Sequence, residues 1–118
     1  MNKNRIIAWM DDLQMSTHLA KISTTHSYQL QFCDAIDQIA DISEPSALII
    51  DLNSISREHL QRIVELEQIY NIVVMGYYQD LNGPLLKYFK KMGCKMVFKR
   101  SELIKNLGSI LNKIFDAS

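Results

Sequence analysis

The sequence predicts an α/β protein built on one five-stranded parallel sheet with helices on both faces. Three observations carry that prediction. Short apolar runs alternate five times with stretches of helical periodicity along the 118 residues. The runs at 47–50 and 71–75 read as strands covered on both faces, which is the mark of a parallel sheet's interior. The 4 glycines and 2 prolines are too few to break these units and fall between them. The length suits one domain covering residues 1–118.

Each element has its own local reason. Residues 5–10 form a short apolar run that ends in acids, and read as the first strand. Met15, Leu19 and Ile22 recur at helical spacing and mark one buried helix face. Residues 28–33 alternate and read as the second strand. Asp34 is placed to cap a short helix with Ile36, Ile39 and Ala40 inward, broken at Pro45. Residues 47–50 form the third strand, which ends at Asp51. Ser56 suits the N-cap of a helix that buries Leu60, Ile63 and Val64. Residues 71–75 form the fourth strand. Pro84 opens a helix carrying Leu85, Leu86, Phe89 and Met92 inward, and Gly93 ends it. Residues 95–98 form the fifth strand. Ser101 then caps a helix whose stripe is Leu103, Leu107, Ile110, Leu111 and Ile114. Five such units joined by right-handed crossovers give the flavodoxin-like strand order 2-1-3-4-5. Strands 1 and 3 are then neighbours, and ligands sit beyond their carboxyl ends.

Composition narrows the function. The 13 basic and 13 acidic side chains cancel, which argues against nucleic-acid binding. The charges are segregated, however: residues 1–80 carry 5 basic and 11 acidic side chains, and residues 81–118 carry 8 and 2. No apolar run is long enough to cross a membrane, and the N-terminus is a poor signal peptide. Cys33 and Cys94 lack metal-type spacing and read as small buried hydrophobes of a cytoplasmic protein. His18, His26 and His59 show no ligand spacing, and Trp9 reads as core. No Gly-rich phosphate loop is present, which disfavours nucleotide binding.

The chemistry-bearing residues fall on the carboxyl edge. Asp11 and Asp12 follow the first strand, Asp51 ends the third and Lys99 ends the fifth. Three clustered carboxylates repel one another unless a cation joins them, and oxygen-only ligands at an open edge suit Mg²⁺. An aspartate oxygen there can form an acyl phosphate, with metal and lysine neutralising the transferred group. A second reading remains open, in which Asp11 and Asp12 cap the first helix and Asp51 is a loop acid.

Over essentially its whole length the chain resembles a response-regulator receiver domain of the CheY-like type. The residues that carry the resemblance are Met10-Asp11-Asp12, Ile49-Ile50-Asp51-Leu52-Asn53 and Phe98-Lys99. It implies that Asp11, Asp12, Asp51 and the backbone carbonyl of Asn53 hold Mg²⁺. It also implies that Asp51 accepts a phosphoryl group from a histidine kinase or phosphotransfer protein, with Lys99 bridging to it. Beyond self-phosphorylation and dephosphorylation at Asp51, no enzyme activity is implied. Output is expected by contact with a downstream protein, or a homodimer, through the fourth helix, fifth strand and fifth helix. Lys87, Lys90 and Lys91 beside Tyr88, Phe89 and Met92 lie on that surface. No DNA-binding output segment follows the last helix, so the chain reads as a stand-alone receiver or a part of a larger protein.

The departures fall on the switch. Gly76 stands where receivers carry a hydroxyl, and Tyr77 stands where they carry a small residue. Met96 replaces an aromatic, Arg100 replaces a proline after Lys99, and one residue is missing between Gly93 and Lys99. The loop 52–56 lacks the family's Pro and Gly. Loss of the mobile hydroxyl removes the bistable element of such switches. The alternative is therefore a pseudo-receiver, an interaction module that is never phosphorylated. A minor alternative is an anti-anti-sigma-like regulator, suggested by residues 47–54 with Ser54 as phosphosite.

Overall fold

The computed structural model describes residues 4–34, 46–70, 72–80, 83–92, 94 and 96–116. In order these form β1 (Arg5–Trp9), α1 (Leu13–His26), β2 (Gln29–Phe32), β3 (Ser46–Asp51), α2 (Arg57–Ile69), β4 (Ile72–Tyr78), α3 (Gly83–Lys91), β5 (Met96–Lys99) and α4 (Arg100–Asp116). The strands form one sheet in the order β2-β1-β3-β4-β5. Every neighbouring pair is parallel. The fold class and strand order are those the sequence predicts. The expected helix at Ile36, Ile39 and Ala40, together with Asn71, Gly93, Lys95 and the Leu85 side chain, lies outside the described residues.

Strand alternation divides the core into two layers. On one face Ile6, Ala8, Ala47, Ile49, Met75 and Tyr77 pack against Met15 and Leu19 of α1 and Leu103, Leu107, Leu111 and Phe115 of α4. On the other, Ile7, Leu48, Ile50, Ile72 and Val74 meet Leu60 and Ile63 of α2 and Phe89 of α3. Four consecutive β3 residues, Ala47 to Ile50, are fully buried, as a central strand between two helical layers requires. The second face carries Cys33 and Cys94 as free buried thiols, and burial pushes both thiol pKa values up to about 11.

Caps fix the helices. The Asp12 side chain accepts the Met15 amide at the start of α1, and the Ser56 hydroxyl accepts the His59 amide at the start of α2. α1 ends on Ser27 in the left-handed region, φ 59°, with its amide donating to the Ser23 carbonyl.

Several expectations need correction. β4 does not stop at Met75 but runs to Tyr78, because Tyr77 and Tyr78 pair with Phe98 and Lys99 of β5. Ser101 does not cap the last helix: β5 passes directly into α4 at Arg100, which leaves Ser101 inside the first turn and exposed. Trp9 is half-buried rather than core. Its ring lies 5.2 Å from that of His59 and walls a pocket at the sheet edge. The second strand forms as expected, over Gln29–Phe32 at the sheet edge, where Phe32 is 52% exposed.

Candidate functional site

The carboxyl ends of β1 and β3 bring the acidic residues to one rim. Asp11, Asp12 and Asp51 line a common pocket with Leu13, Gln79 and Arg100. An adjoining pocket of about 510 Å³ is lined by Asp12, Asp51, Asn53, Tyr77, Gln79, Asp80 and Arg100. Asp11 is exposed, while Asp12 and Asp51 are partly buried. The sheet thus gathers the three aspartates that the spacing singled out.

Asp12 is the most heavily engaged of them. Its Oδ2 accepts from Arg100 Nε at 2.9 Å and from the Tyr77 hydroxyl at 3.0 Å. Its Oδ1 accepts from Arg100 Nη2 at 3.0 Å and from the Met15 amide at 3.1 Å. A carboxylate offers about four acceptor positions, so these four donors fill it. The two Arg100 bonds form a guanidinium fork, the strongest form of carboxylate pairing. Arg100 Nη2 also donates to Gln14 Oε1 at 2.9 Å, tying α4 to the first turn of α1. The Arg100 hydrogen bond is the main reason the Asp12 carboxyl is held down at about 2, and burial opposes it.

Tyr77 reaches this network from the core. Its ring is 1% exposed, and its oxygen lies 3.7 Å from Met10 Sδ as well as beside Asp12. Burial, reinforced by the charges of Asp51 and Asp12, pushes the phenol far above its usual range. The hydroxyl therefore stays protonated and donates to Asp12. The Tyr77 ring fills core space and its tip closes the wall of the pocket.

Asp51 keeps a different environment. Its Oδ1 accepts the Asn53 amide at 3.0 Å and its Oδ2 accepts the Ser54 hydroxyl at 3.1 Å, which makes a local turn. Asn53 uses its side chain as a brace: Oδ1 accepts the Gln79 amide at 2.8 Å, and Nδ2 donates to the Asp80 carbonyl at 3.2 Å. The loops after β3 and β4 are thereby joined.

The remaining sequence candidates lie elsewhere. Lys99 is exposed and lines a neighbouring pocket with Tyr78, Gln79, Arg100 and Ser101, not the pocket of the three aspartates. Among the described residues the cation that enters the acidic pocket is Arg100, whose position in the sequence signals only the departure from a proline. Gly76 pairs with Ile50, and the residue level with Asp51 is Tyr77. A Cβ at Gly76 would lie 2.9 Å from Leu52 Cγ and Cδ1, so the space of a switch hydroxyl is taken by the Leu52 side chain. Met96 pairs with Met75, two residues below the rim, and Phe98 is the aromatic level with Tyr77.

A receiver's Mg²⁺ would need carboxylate lone pairs free at the acid pair. Asp12 has none left, and among the described residues no group of three His, Cys, Asp or Glu side chains is placed to hold a metal ion. The residues as arranged do not fit that ion.

No protein-family model matches the chain, and no curated protein matches it in sequence. Its structural similarities are clear. A pilus assembly protein, CpaE, described from Burkholderia thailandensis superposes with a TM-score of 0.72 at 16% identity, over 98% of this chain and 99% of that one. A protein described as pilus assembly-related from Burkholderia pseudomallei gives 0.67 at 18% identity, over 95% and 88%. The regulatory domain of the biofilm regulator CsgD gives 0.68 at 11% identity, over 98% and 89%. At these identities the likeness speaks to architecture. The chain has the flavodoxin-like fold of these neighbours, with its acidic rim at the carboxyl edge.

Proposed function

We propose that this chain is a pseudo-receiver: a signalling module that acts by protein contact and does not run metal-dependent phosphoryl transfer on Asp51. One observation carries the reading. The Asp12 carboxylate, which would hold the metal, is filled by the Arg100 fork, the Tyr77 hydroxyl and the Met15 amide. Leu52 packed against Gly76 supports it, since that contact leaves no room for a switch hydroxyl. The contact surface of this reading is α3, β5 and α4. There Lys87, Lys90, Lys91 and Lys99 are exposed, beside the half-buried Tyr88 and Met92.

A second reading rests on Asp51 itself. Asp51 lines the pocket walled by Trp9 and His59 as well as the two it shares with Asp12, and its oxygens accept from the Asn53 amide and the Ser54 hydroxyl rather than from the Arg100 fork, so a phosphotransfer protein or histidine kinase could still reach it. Incubation with acetyl phosphate and Mg²⁺, followed by intact mass, separates the two. The pseudo-receiver gains no phosphoryl group. A single addition in the native chain that disappears in Asp51→Asn would establish the second reading.

A further inference from the structure

We infer that Arg100 is the resident cation of the acidic rim among the described residues, and that its guanidinium closes the Asp12 carboxylate to a divalent cation. This rests on the proposed function and explains how the same site is held in one state.

Asp11, Asp12 and Asp51 line one pocket, and Arg100 is the cationic side chain lining it with them. Arg100 brings a positive charge to the Asp12 carboxylate from within the chain. Its fork uses Nε and Nη2 on the two oxygens of Asp12, a geometry the single ammonium of a lysine cannot reproduce. The pair is sheltered, with side chains 23% and 12% exposed for Arg100 and Asp12. The Gln14 bond fixes the far edge of the guanidinium. A divalent ion would have to displace this fork, because Tyr77 and Met15 hold the remaining acceptor positions.

Removing the guanidinium frees two acceptor positions on Asp12 and takes one positive charge from the rim. Both changes favour a divalent cation. The test is a Mn²⁺ titration read by loss of the free-ion electron paramagnetic resonance signal, repeated with Mg²⁺ by fluorescence of Trp9, which lies beside Asp11 and Asp51. The native chain is expected to bind neither ion into the millimolar range. Arg100→Ala is expected to bind Mn²⁺ at least about tenfold more tightly, since a charge-assisted bond contributes more than the tenfold equivalent. Arg100→Lys should fall between them, and Arg100→Ala with Asp12→Asn should lose the gain. Circular dichroism and a cooperative melt establish that each variant is folded. Should Arg100→Ala not fold, Arg100→Gln and Arg100→Lys carry the comparison, and the native titration needs no variant.

Mn²⁺ binding by the native chain as tight as by a folded Arg100 variant overturns the inference. So does a folded Arg100→Ala that binds no ion, an outcome that leaves the proposed function standing. Phosphoryl labelling of the native chain would instead defeat the proposed function, so the two failures are read on separate instruments.

Discussion

Adding one carbon at Gly76 should unmask the packing that replaced a switch hydroxyl. The Cβ of Gly76→Ala would lie 2.9 Å from Leu52 Cγ and Cδ1 and 3.0 Å from Cδ2. Leu52 is 3% exposed, and its amide donates to the Tyr77 carbonyl at 2.8 Å, so neither its side chain nor its backbone is free to retreat. Overpacking of this kind costs about 1–3 kcal/mol. An unstrained Gly to Ala change would return about 0.4–1 kcal/mol through the unfolded chain. Three contacts at or below 3.0 Å make the steric effect the larger one, and a net loss of about 1–2 kcal/mol follows.

The same contact predicts a rescue. Leu52→Ala alone should cost about 2–3 kcal/mol, the lower part of the range for a buried leucine. It also removes the atoms that Gly76→Ala strikes, so in that background the alanine should be neutral or slightly stabilising. A double-mutant cycle should therefore give a coupling of about 2 kcal/mol in favour of the pair. Urea unfolding followed by the single tryptophan, Trp9, measures all four corners. Equal costs of Gly76→Ala with and without Leu52 would show that the glycine is there for another reason.

Three further outcomes follow from the structure. Asp12 has a folded pKa lowered to about 2, so its pairing should stabilise the fold above about pH 4 and lose that contribution as pH falls towards 2. With solvent screening of the partly open pair, about 1–2 kcal/mol is at stake, and Asp12→Asn should show a lower urea midpoint at pH 7 and a flatter acid limb. Ser27→Gly should raise the melting temperature by about 1–3 °C, because a left-handed serine at φ 59° is strained by about 1–2 kcal/mol that glycine does not incur, while the added freedom of glycine in the unfolded chain offsets about 0.4–1 kcal/mol of it. Asn53→Ala should speed hydrogen exchange of the Gln79 amide, which donates to Asn53 Oδ1 at 2.8 Å, with a global cost of only about 1 kcal/mol; unchanged protection would refute the brace.

The fold was legible because its signals are averaged over many residues. The doubly apolar run of β3 and the leucine stripe of α4 each rest on four or more side chains, so no single substitution misleads. Strand ends were less legible. Gly76, Tyr77 and Tyr78 have no pattern that separates strand from loop, and only pairing with β5 extends β4 through them. Asp11, Asp12 and Asp51 could be placed on one rim because each ends a recognisable strand or opens a helix. What Asp12 does there could not be read, since its partners Tyr77 and Arg100 lie 65 and 88 residues away.

Lys99 and Arg100 are adjacent, and strand parity decides which of the two cations reaches Asp12. Side chains alternate across a sheet, so neighbouring residues at a strand end face opposite layers. Tyr77 and Phe98 are partners and pack in the α1/α4 layer; Tyr78 and Lys99 are partners one step on, and Tyr78 packs in the α2/α3 layer. Lys99 therefore leaves the sheet away from Asp12, while Arg100, at the first turn of α4, returns to it. Exchanging the two residues, as Lys99→Arg with Arg100→Lys, keeps composition and net charge but puts the guanidinium on the wrong parity. The swapped chain should lose about 1–2 kcal/mol at pH 7, and its acid limb should resemble that of Asp12→Asn. Native stability and an unchanged pH profile in the swap would mean that charge alone, from either position, satisfies Asp12, and that the fork contributes nothing beyond it.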